Sequence, residues 1–156
     1  MRVHICAVGR LRAGPEKALI DDYLTRFDRT GRALGLGPAN LIEVEDKKGG
    51  GMAAEAALLE RALPSGALVC VMDERGKVMT SPQFADQLSD WRDKGRSDLA
   101  IVIGGADGLD SALRARADFA LSFGKMVWPH MLVRVMLSEQ LYRAASILAG
   151  SPYHRA

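Results

Sequence analysis

Two short runs of almost continuous apolar residues, 67–72 and 99–103, constrain the fold more than any other feature of the chain. A strand with one face in water alternates apolar and polar side chains, whereas a strand covered on both faces is apolar throughout. Strands of the second kind occur mainly in parallel sheets, because the helices that connect parallel strands cover both faces of the sheet. The two runs therefore predict a parallel sheet between two layers of helices.

Further strand-like runs alternate with helical segments along the chain. The strands are expected at 3–8, 41–44 and 119–123, and the helices at 15–30, 53–63, 82–94, 111–116 and 130–148. Several of these helices begin at Pro or behind a capping Ser and stop at Gly or before Pro, as helices commonly do. The alternation predicts an α/β fold with a largely parallel sheet, and 156 residues fit one domain, expected over 1–156.

Composition restricts the function without identifying it. The net charge of +2 and a pI near 8.7 permit an RNA partner but do not require one. Cys6 and Cys70 lie inside apolar runs, which is typical of buried thiols in a reducing compartment, and no Cys or His spacing indicates a disulfide or a metal site. The chain shows neither a secretion signal nor an apolar stretch of membrane-spanning length. We therefore expect a cytoplasmic protein with no membrane and no metal partner.

The common phosphate- and dinucleotide-binding motifs do not occur in the sequence. Gly9 and Gly14 have the outer spacing of a phosphate-binding loop, but Pro15 and Glu16 follow where Lys and Ser or Thr are required. No Gly-x-Gly-x-x-Gly pattern follows a strand. The basic loop 47–51 admits two interpretations, a solvated linker or a phosphate contact.

Two turns in the last third of the chain indicate a binding site. The strand 99–103 ends in Gly104-Gly105-Ala106-Asp107-Gly108, and the strand 119–123 ends in a turn that reaches Pro129. Glycines let a ligand approach the backbone closely, and ligands of α/β proteins bind at the carboxyl ends of the strands. The turns predict a ligand crevice, with two ordinary strand exits as the alternative from composition alone.

The last helix and the residues after it favour a second subunit and an RNA contact. The helix 130–148 carries apolar residues on more than one face, which favours core packing on one side and a partner subunit on the other. The final residues combine Tyr153, His154 and Arg155, an aromatic ring for base stacking beside two possible cations. A frayed tail is the alternative for so short a segment.

Together these segments closely resemble one family, the bacterial pseudouridine N3-methyltransferases of the large ribosomal subunit, which are the smallest members of the SPOUT superfamily. The resemblance covers essentially the whole chain, and its most specific part is the series of residues from Pro129 onwards. The matching residues are Ala7-Val8-Gly9, Tyr23, Arg26, Ile103-Gly104-Gly105, Gly108, Leu121-Ser122, Pro129-His130, Arg134, Glu139-Gln140, Tyr142-Arg143-Ala144 and Tyr153-His154-Arg155.

The resemblance implies a SPOUT-type fold with a deep trefoil knot in its C-terminal part, an obligate homodimer and S-adenosylmethionine as the cofactor. It also implies methylation of N3 of a pseudouridine in 23S rRNA. Knots are nearly absent from other proteins, so no periodicity of residues would predict one. The implied cofactor contacts are Met72, Gly104, Gly105, Phe123, Gly124, Lys125, Met126, Val127, Trp128 and Pro129.

The implied reaction suggests roles for the remaining residues. N3 of pseudouridine is a weak acid, so the site must align it with the methyl donor and help its proton leave. His130 is the first candidate for the base and His154 is the second. Arg134 and Arg155 would contact phosphate or the developing negative charge, and Tyr153 would stack on the target base.

A chain this small carries no separate RNA-reading domain, so the expected substrate is 23S rRNA within the assembled ribosome. Two other functions remain open. A SPOUT methyltransferase for another RNA such as tRNA would be expected to carry an added RNA-binding extension. A non-catalytic dimeric factor would bind the ribosome without binding the cofactor.

Overall fold

The computed structural model describes residues 1–155, and Ala156, the last residue of the expected domain, lies outside the described residues. Strands and helices alternate as predicted, and the predicted helix ends differ from the observed ones by two residues or fewer. The elements are β1 (Arg2–Val8), α1 (Pro15–Gly31), a short 3-10 turn (Arg32–Leu34), β2 (Ala39–Val44), α2 (Gly51–Ala62), β3 (Leu68–Val78), α3 (Ser81–Asp93), β4 (Asp98–Ile103), α4 (Ser111–Arg116), β5 (Phe119–Ser122) and α5 (His130–Leu148).

The strands within residues 1–155 form one parallel sheet in the order β2-β1-β4-β3-β5. β4 lies between β1 and β3, so that Ile101 stands opposite Ile5 on one side and Cys70 on the other. The two apolar runs of the sequence are therefore neighbouring inner strands. The prediction of a parallel sheet is confirmed.

Helices cover both faces of the sheet, because successive residues of its inner strands point to opposite faces. One core joins β1 and β4 to α1, α3 and α5, and its members include Ile5, Ile101, Phe27, Leu88 and Leu141. The other core joins the same strands to α2 and α4, and its members include Cys6, Val102, Leu59 and Leu113. The predicted two layers of helices are confirmed.

Both thiols are buried in the core. Burial raises the pKa of Cys6 to about 11 and that of Cys70 to about 12. Neither thiol is ionised at neutral pH, so both behave as small apolar core residues.

β3 is longer than the predicted run 67–72. It continues to Val78 and pairs with β5 in two registers, with a shift between Met72 and Lys77. The added residues are mostly charged, so an apolar pattern does not reveal them. Gly76 is required in this segment, because a Cβ there would lie 2.7 Å from the backbone of Ala120. The irregularity places charged side chains at the carboxyl edge of the sheet.

α5 packs against α1 and α3 on one face of the sheet.

The deep trefoil knot that the family resemblance implies stays a prediction. Within residues 1–155, no helix is long and apolar enough to cross a membrane. The described side chains also include no group of three or more His, Cys, Asp or Glu residues placed to hold a metal ion.

Candidate active site

A cavity of about 780 Å³ opens at the carboxyl ends of β3, β4 and β5. The turn after β4, the turn after β5, the irregular part of β3 and the start of α5 line it. Ligands of parallel α/β sheets bind at this edge, and the volume is in the range of small-molecule sites. The structure thus brings the two turns singled out from the sequence together around one space.

Most of the residues expected to contact a cofactor line this cavity. Lys125 belongs to the turn after β5 but is not among the lining residues. The expected residues that line it are Met72, Gly104, Gly105, Phe123, Gly124, Met126, Val127, Trp128 and Pro129.

The turn after β4 is packed so closely that its first position requires glycine and its second leaves little room for a side chain. A Cβ on Gly104 would lie 2.6 Å from the carbonyl oxygen of Gly108, across the same turn. A Cβ on Gly105 would lie 3.0 Å from a carboxylate oxygen of Glu55 and 3.2 Å from the side chain of Val8. Backbone, not side chain, therefore forms this part of the cavity wall.

The turn after β5 is tied to the irregular part of β3 through Ser122. Its hydroxyl lies 3.1 Å from the carbonyl oxygen of Glu74 and 2.9 Å from that of Gly124. It also accepts a hydrogen bond from the Gly124 amide at 3.0 Å. Gly124 has φ +116°, a conformation that other residues rarely adopt, so the turn reverses sharply at this point.

His130 begins α5 and lines the cavity. Its Nδ1 atom is buried and has no hydrogen-bond partner among residues 1–155. Burial lowers the pKa of His130, and the positive charge of Arg134, one turn further along the helix, lowers it again. The imidazole is therefore neutral at physiological pH, and a neutral imidazole can accept a proton.

Arg134 is fully buried and is not among the residues that line the cavity. One terminal nitrogen donates to the Gly9 carbonyl at 2.9 Å and to the Glu43 carboxylate at 3.1 Å, and the other donates to the Val8 carbonyl. The Glu43 carboxylate also accepts a hydrogen bond from the Leu11 amide at 2.6 Å. The sequence led us to expect a contact between Arg134 and phosphate or substrate. In the structure its guanidinium instead binds the end of β1 and the side chain of Glu43.

The tail, residues 151–155, folds back along the second half of α5. The Tyr153 hydroxyl donates to Glu139 at 2.9 Å, and the Tyr153 ring centroid lies 4.8 Å from the guanidinium carbon of Arg143. His154 is bonded to the same guanidinium at 3.2 Å, while Arg155 is exposed. The tail is therefore docked on α5 instead of frayed. Arg143 stands thirteen residues after the start of α5, about 20 Å along the helix axis.

The docked Tyr153 has a defined proton state. Burial, followed by the hydrogen bond to Glu139, raises the pKa of Tyr153 well above its ordinary value, so the phenol stays protonated. Arg143 can only donate, so the Nδ1 atom of His154 is the acceptor in their contact. This nitrogen of the second candidate base is therefore already occupied by Arg143.

Sequence reasoning missed the charged part of the cavity wall. Asp73, Glu74 and Arg75 from β3 and Arg114 from α4 all line the cavity. β3 and α4 are distant in the sequence, and only the pairing of β3 with β5 brings them to one edge. No motif or periodicity marks such a group.

A family model described as "Predicted SPOUT methyltransferase" matches residues 1–154, and the chain belongs to this family. A "Probable Methyltransferase from Bordetella pertussis Tohama I" has a TM-score of 0.51 and 17% identity over 92% of this chain and 96% of its own. A "probable methylase family protein from Haemophilus influenzae Rd KW20" has a TM-score of 0.51 and 14% identity over 99% of this chain and 70% of its own. At these identities the two likenesses show the fold alone.

Curated relatives are similar over nearly the whole chain. The "Ribosomal RNA large subunit methyltransferase H" of Ruegeria sp. (strain TM1040) is 76% identical over 155 residues, which cover 99% of each chain. The protein of the same name from Roseobacter denitrificans (strain ATCC 33942 / OCh 114) is 77% identical with the same coverage. This level of identity confirms the family resemblance found in the sequence. Membership of a methyltransferase family also supports S-adenosylmethionine as the cofactor.

Replacing Gly104 with Ala tests the close packing of the turn after β4. The added methyl group would stand 2.6 Å from the Gly108 carbonyl oxygen, so the turn must open. We expect a loss of about 1–3 kcal/mol in the free energy of unfolding and weaker calorimetric binding of S-adenosylmethionine. Gly14→Ala is the matched control, because its Cβ would approach other atoms no closer than 3.7 Å. Equal behaviour of the two variants would contradict this account of the turn.

An NMR titration of the His130 ring tests its surroundings. We expect a pKa below the ordinary value of 6.5, because burial and the charge of Arg134 both disfavour the imidazolium form. The unfolded chain then takes up the proton first, so His130 lowers stability as the pH falls below 6.5 and has no such effect above it. His130→Gln should remove this part of the pH dependence of unfolding. A measured pKa of 6.5 or more would contradict the burial of the His130 ring and its proximity to the charge of Arg134.

Proposed function

We propose that this protein is an S-adenosylmethionine-dependent methyltransferase that methylates N3 of a pseudouridine in 23S rRNA. It acts on the assembled ribosome, as a homodimer in the cytoplasm, with residues 1–156 forming one catalytic domain. The observation that carries the proposal is the cavity, which two turns of a SPOUT fold enclose with the neutral His130 at its edge. The relatives' name supplies the substrate class, ribosomal RNA of the large subunit.

The lining of the cavity fits S-adenosylmethionine. Apolar residues, among them Leu121, Phe123 and Val133, suit the adenine ring, and a charged group of residues suits the amino acid end. Gly104 and Gly105 line the cavity with backbone atoms, which a ligand can approach closely. Met72, these two glycines and the turn 123–129 would hold the cofactor. When bound, S-adenosylmethionine supplies an electrophilic methyl group on a positively charged sulfur.

His130 is the residue that takes the proton from N3 of the target base. A protonated N3 is a poor nucleophile, so a base at the cavity edge is required, and the lowered pKa keeps the imidazole free to act as one. Arg134 is a positioning residue for this step. It packs beside the imidazole against Gly9, where a Cβ would lie 3.7 Å from Arg134 and 4.0 Å from His130.

The docked tail contributes to RNA binding from a second subunit. Its contacts with Glu139 and Arg143 lie about 14 and 20 Å along α5 from the start of the helix, and its residues do not line the cavity of their own protomer. In a two-fold dimer the same surfaces face each other, so the tail of one protomer can stand at the cavity of its partner. Tyr153 would then stack on the target base, and Arg155 would contact phosphate.

An apolar rim, of which Met126, Val127 and Trp128 also line the cavity, supports this dimer. Its residues belong to the turn after β5 and the start of α5, and they remain exposed in the single chain. They are Met126, Val127, Trp128, Met131 and Leu132, with 74%, 81%, 40%, 41% and 40% of their surface accessible, respectively. Clustered apolar groups of this kind mark interaction surfaces.

Transfer of labelled methyl from S-adenosylmethionine tests the substrate. Ribosomes that lack the modification, protein-free 23S rRNA and tRNA are compared side by side. We expect methyl in the ribosome sample alone, on N3 of a pseudouridine, and a rate lower by about 10²- to 10⁴-fold for His130→Gln. Equal transfer to free 23S rRNA would contradict recognition of the particle, and transfer to tRNA would contradict the proposed target. Binding to ribosomes without cofactor binding would indicate a non-catalytic factor.

Mixing two inactive variants tests whether the tail acts across the dimer. One variant carries His130→Gln, and the other carries Tyr153→Ala with Arg155→Ala. After subunit exchange, each heterodimer contains one site with an intact His130 and an intact tail, so about one quarter of wild-type activity should return. The unmixed variants are the controls. Failure of exchanged heterodimers to recover activity would show that each protomer uses its own tail.

A further inference from the structure

The cavity wall carries an ion cluster formed by Asp73, Arg75 and Arg114. The Asp73 side chain is 5% exposed. Arg75 donates to both of its carboxylate oxygens, from Nε at 3.0 Å and from Nη2 at 3.2 Å. Arg114 approaches the same carboxylate with its Nε atom at 3.5 Å from Oδ2. One carboxylate therefore faces two guanidinium groups, and the cluster has an excess of positive charge.

Arg114 is the member of the cluster that is not satisfied. Its Nε atom is buried and finds no hydrogen-bond partner among residues 1–155. The Nε atom faces the Asp73 carboxylate at 3.5 Å without making a hydrogen bond, so the charge of Arg114 is incompletely paired and its guanidinium can take a further anion. The side chain lines the cavity and is 27% exposed, so a ligand can reach it.

We propose that Arg114 binds the α-carboxylate of the methionine part of S-adenosylmethionine, and that Asp73 and Arg75 hold it in position. The assignment rests on the proposed function and extends it to one group of the cofactor. A planar guanidinium matches a carboxylate in shape and charge. Glu74 and Asp107 line the same cavity and suit the α-ammonium group beside that carboxylate.

The charge state of Asp73 agrees with a positioning role. Burial raises the pKa of Asp73, but hydrogen bonds from Arg75 and the charges of Arg75 and Arg114 outweigh it, and the pKa lies below its ordinary value. The carboxylate therefore stays ionised at neutral pH. It restrains both guanidinium groups without neutralising them.

Calorimetric titration of the full chain with S-adenosylmethionine and with 5′-methylthioadenosine tests the assignment. The second ligand keeps the nucleoside and the sulfur but has neither carboxylate nor ammonium. For Arg114→Met we expect affinity for S-adenosylmethionine to fall roughly 10- to 100-fold, with affinity for 5′-methylthioadenosine unchanged. Arg114→Lys keeps the charge and should recover part of the loss.

Arg116→Met is the matched control, because Arg116 lies on the same helix, pairs with Glu60 at 3.4 Å and does not line the cavity. It should bind both ligands as the wild type does. An equal loss for both ligands in Arg114→Met would overturn the assignment, because Arg114 would then support the shape of the wall. Unchanged affinity for S-adenosylmethionine would also overturn the assignment, and an RNA phosphate would then be the better candidate for the ligand of Arg114. A wild-type chain that binds neither ligand would contradict the proposed function and the assignment with it.

Discussion

The buried guanidinium of Arg134 is the interaction on which the site depends. Removing a charge from water costs several kcal/mol unless partners replace the lost hydration. Here the partners are the carbonyl oxygens of Val8 and Gly9 and the carboxylate of Glu43. They belong to the end of β1, the loop after it and β2, whereas Arg134 belongs to α5. Hydrogen bonds from the two terminal nitrogens of this guanidinium therefore hold the ends of β1 and β2 against α5.

The same charge has a chemical consequence one turn away. Burial is the larger cause of the lowered pKa of His130, and the proximity of Arg134 adds to it. The residue that fixes the position of α5 thus also favours the proton-accepting form of the side chain at its start. Arg134 thus holds α5 in place and adds to the effect of burial on the pKa of His130, so a change at Arg134 would alter both.

The sequence pattern predicts the elements of this fold well and the contacts between distant elements poorly. The runs 67–72 and 99–103 predicted buried parallel strands because the covering of both faces leaves a local signal. The charged continuation of β3 leaves none, because its pairing with β5 depends on a register shift after Met72. Burial of Arg134 was also missed, since a charged side chain at that place in a helix would ordinarily face water. Its partners lie more than ninety residues away.

The glycine turn and the tail show the same difference between local features, which the sequence reveals, and contacts between distant residues, which it does not. Gly104 and Gly105 are recognisable in the sequence because adjacent glycines at the end of a buried strand indicate a close approach to the backbone. The structure gives the reason in Cβ distances of 2.6 and 3.0 Å. The tail was matched by resemblance, but its docking on Glu139 and Arg143 depends on how the chain folds back along α5. The cluster around Asp73 left no signal, because its members are charged residues that ordinarily face solvent.

The geometry of α5 connects the small size of the chain to its proposed dimer. The helix has 19 residues and is about 28 Å long, with His130 at one end and the docked tail beyond the middle. A rigid helix keeps these groups apart within one chain, and the proposed dimer is the arrangement that would bring them together. A net charge of +2 per chain gives weak general attraction to RNA, because such attraction grows with the number of phosphates that are neutralised. In the proposed reaction, recognition would then come from the fit of the two protomers to a shaped particle.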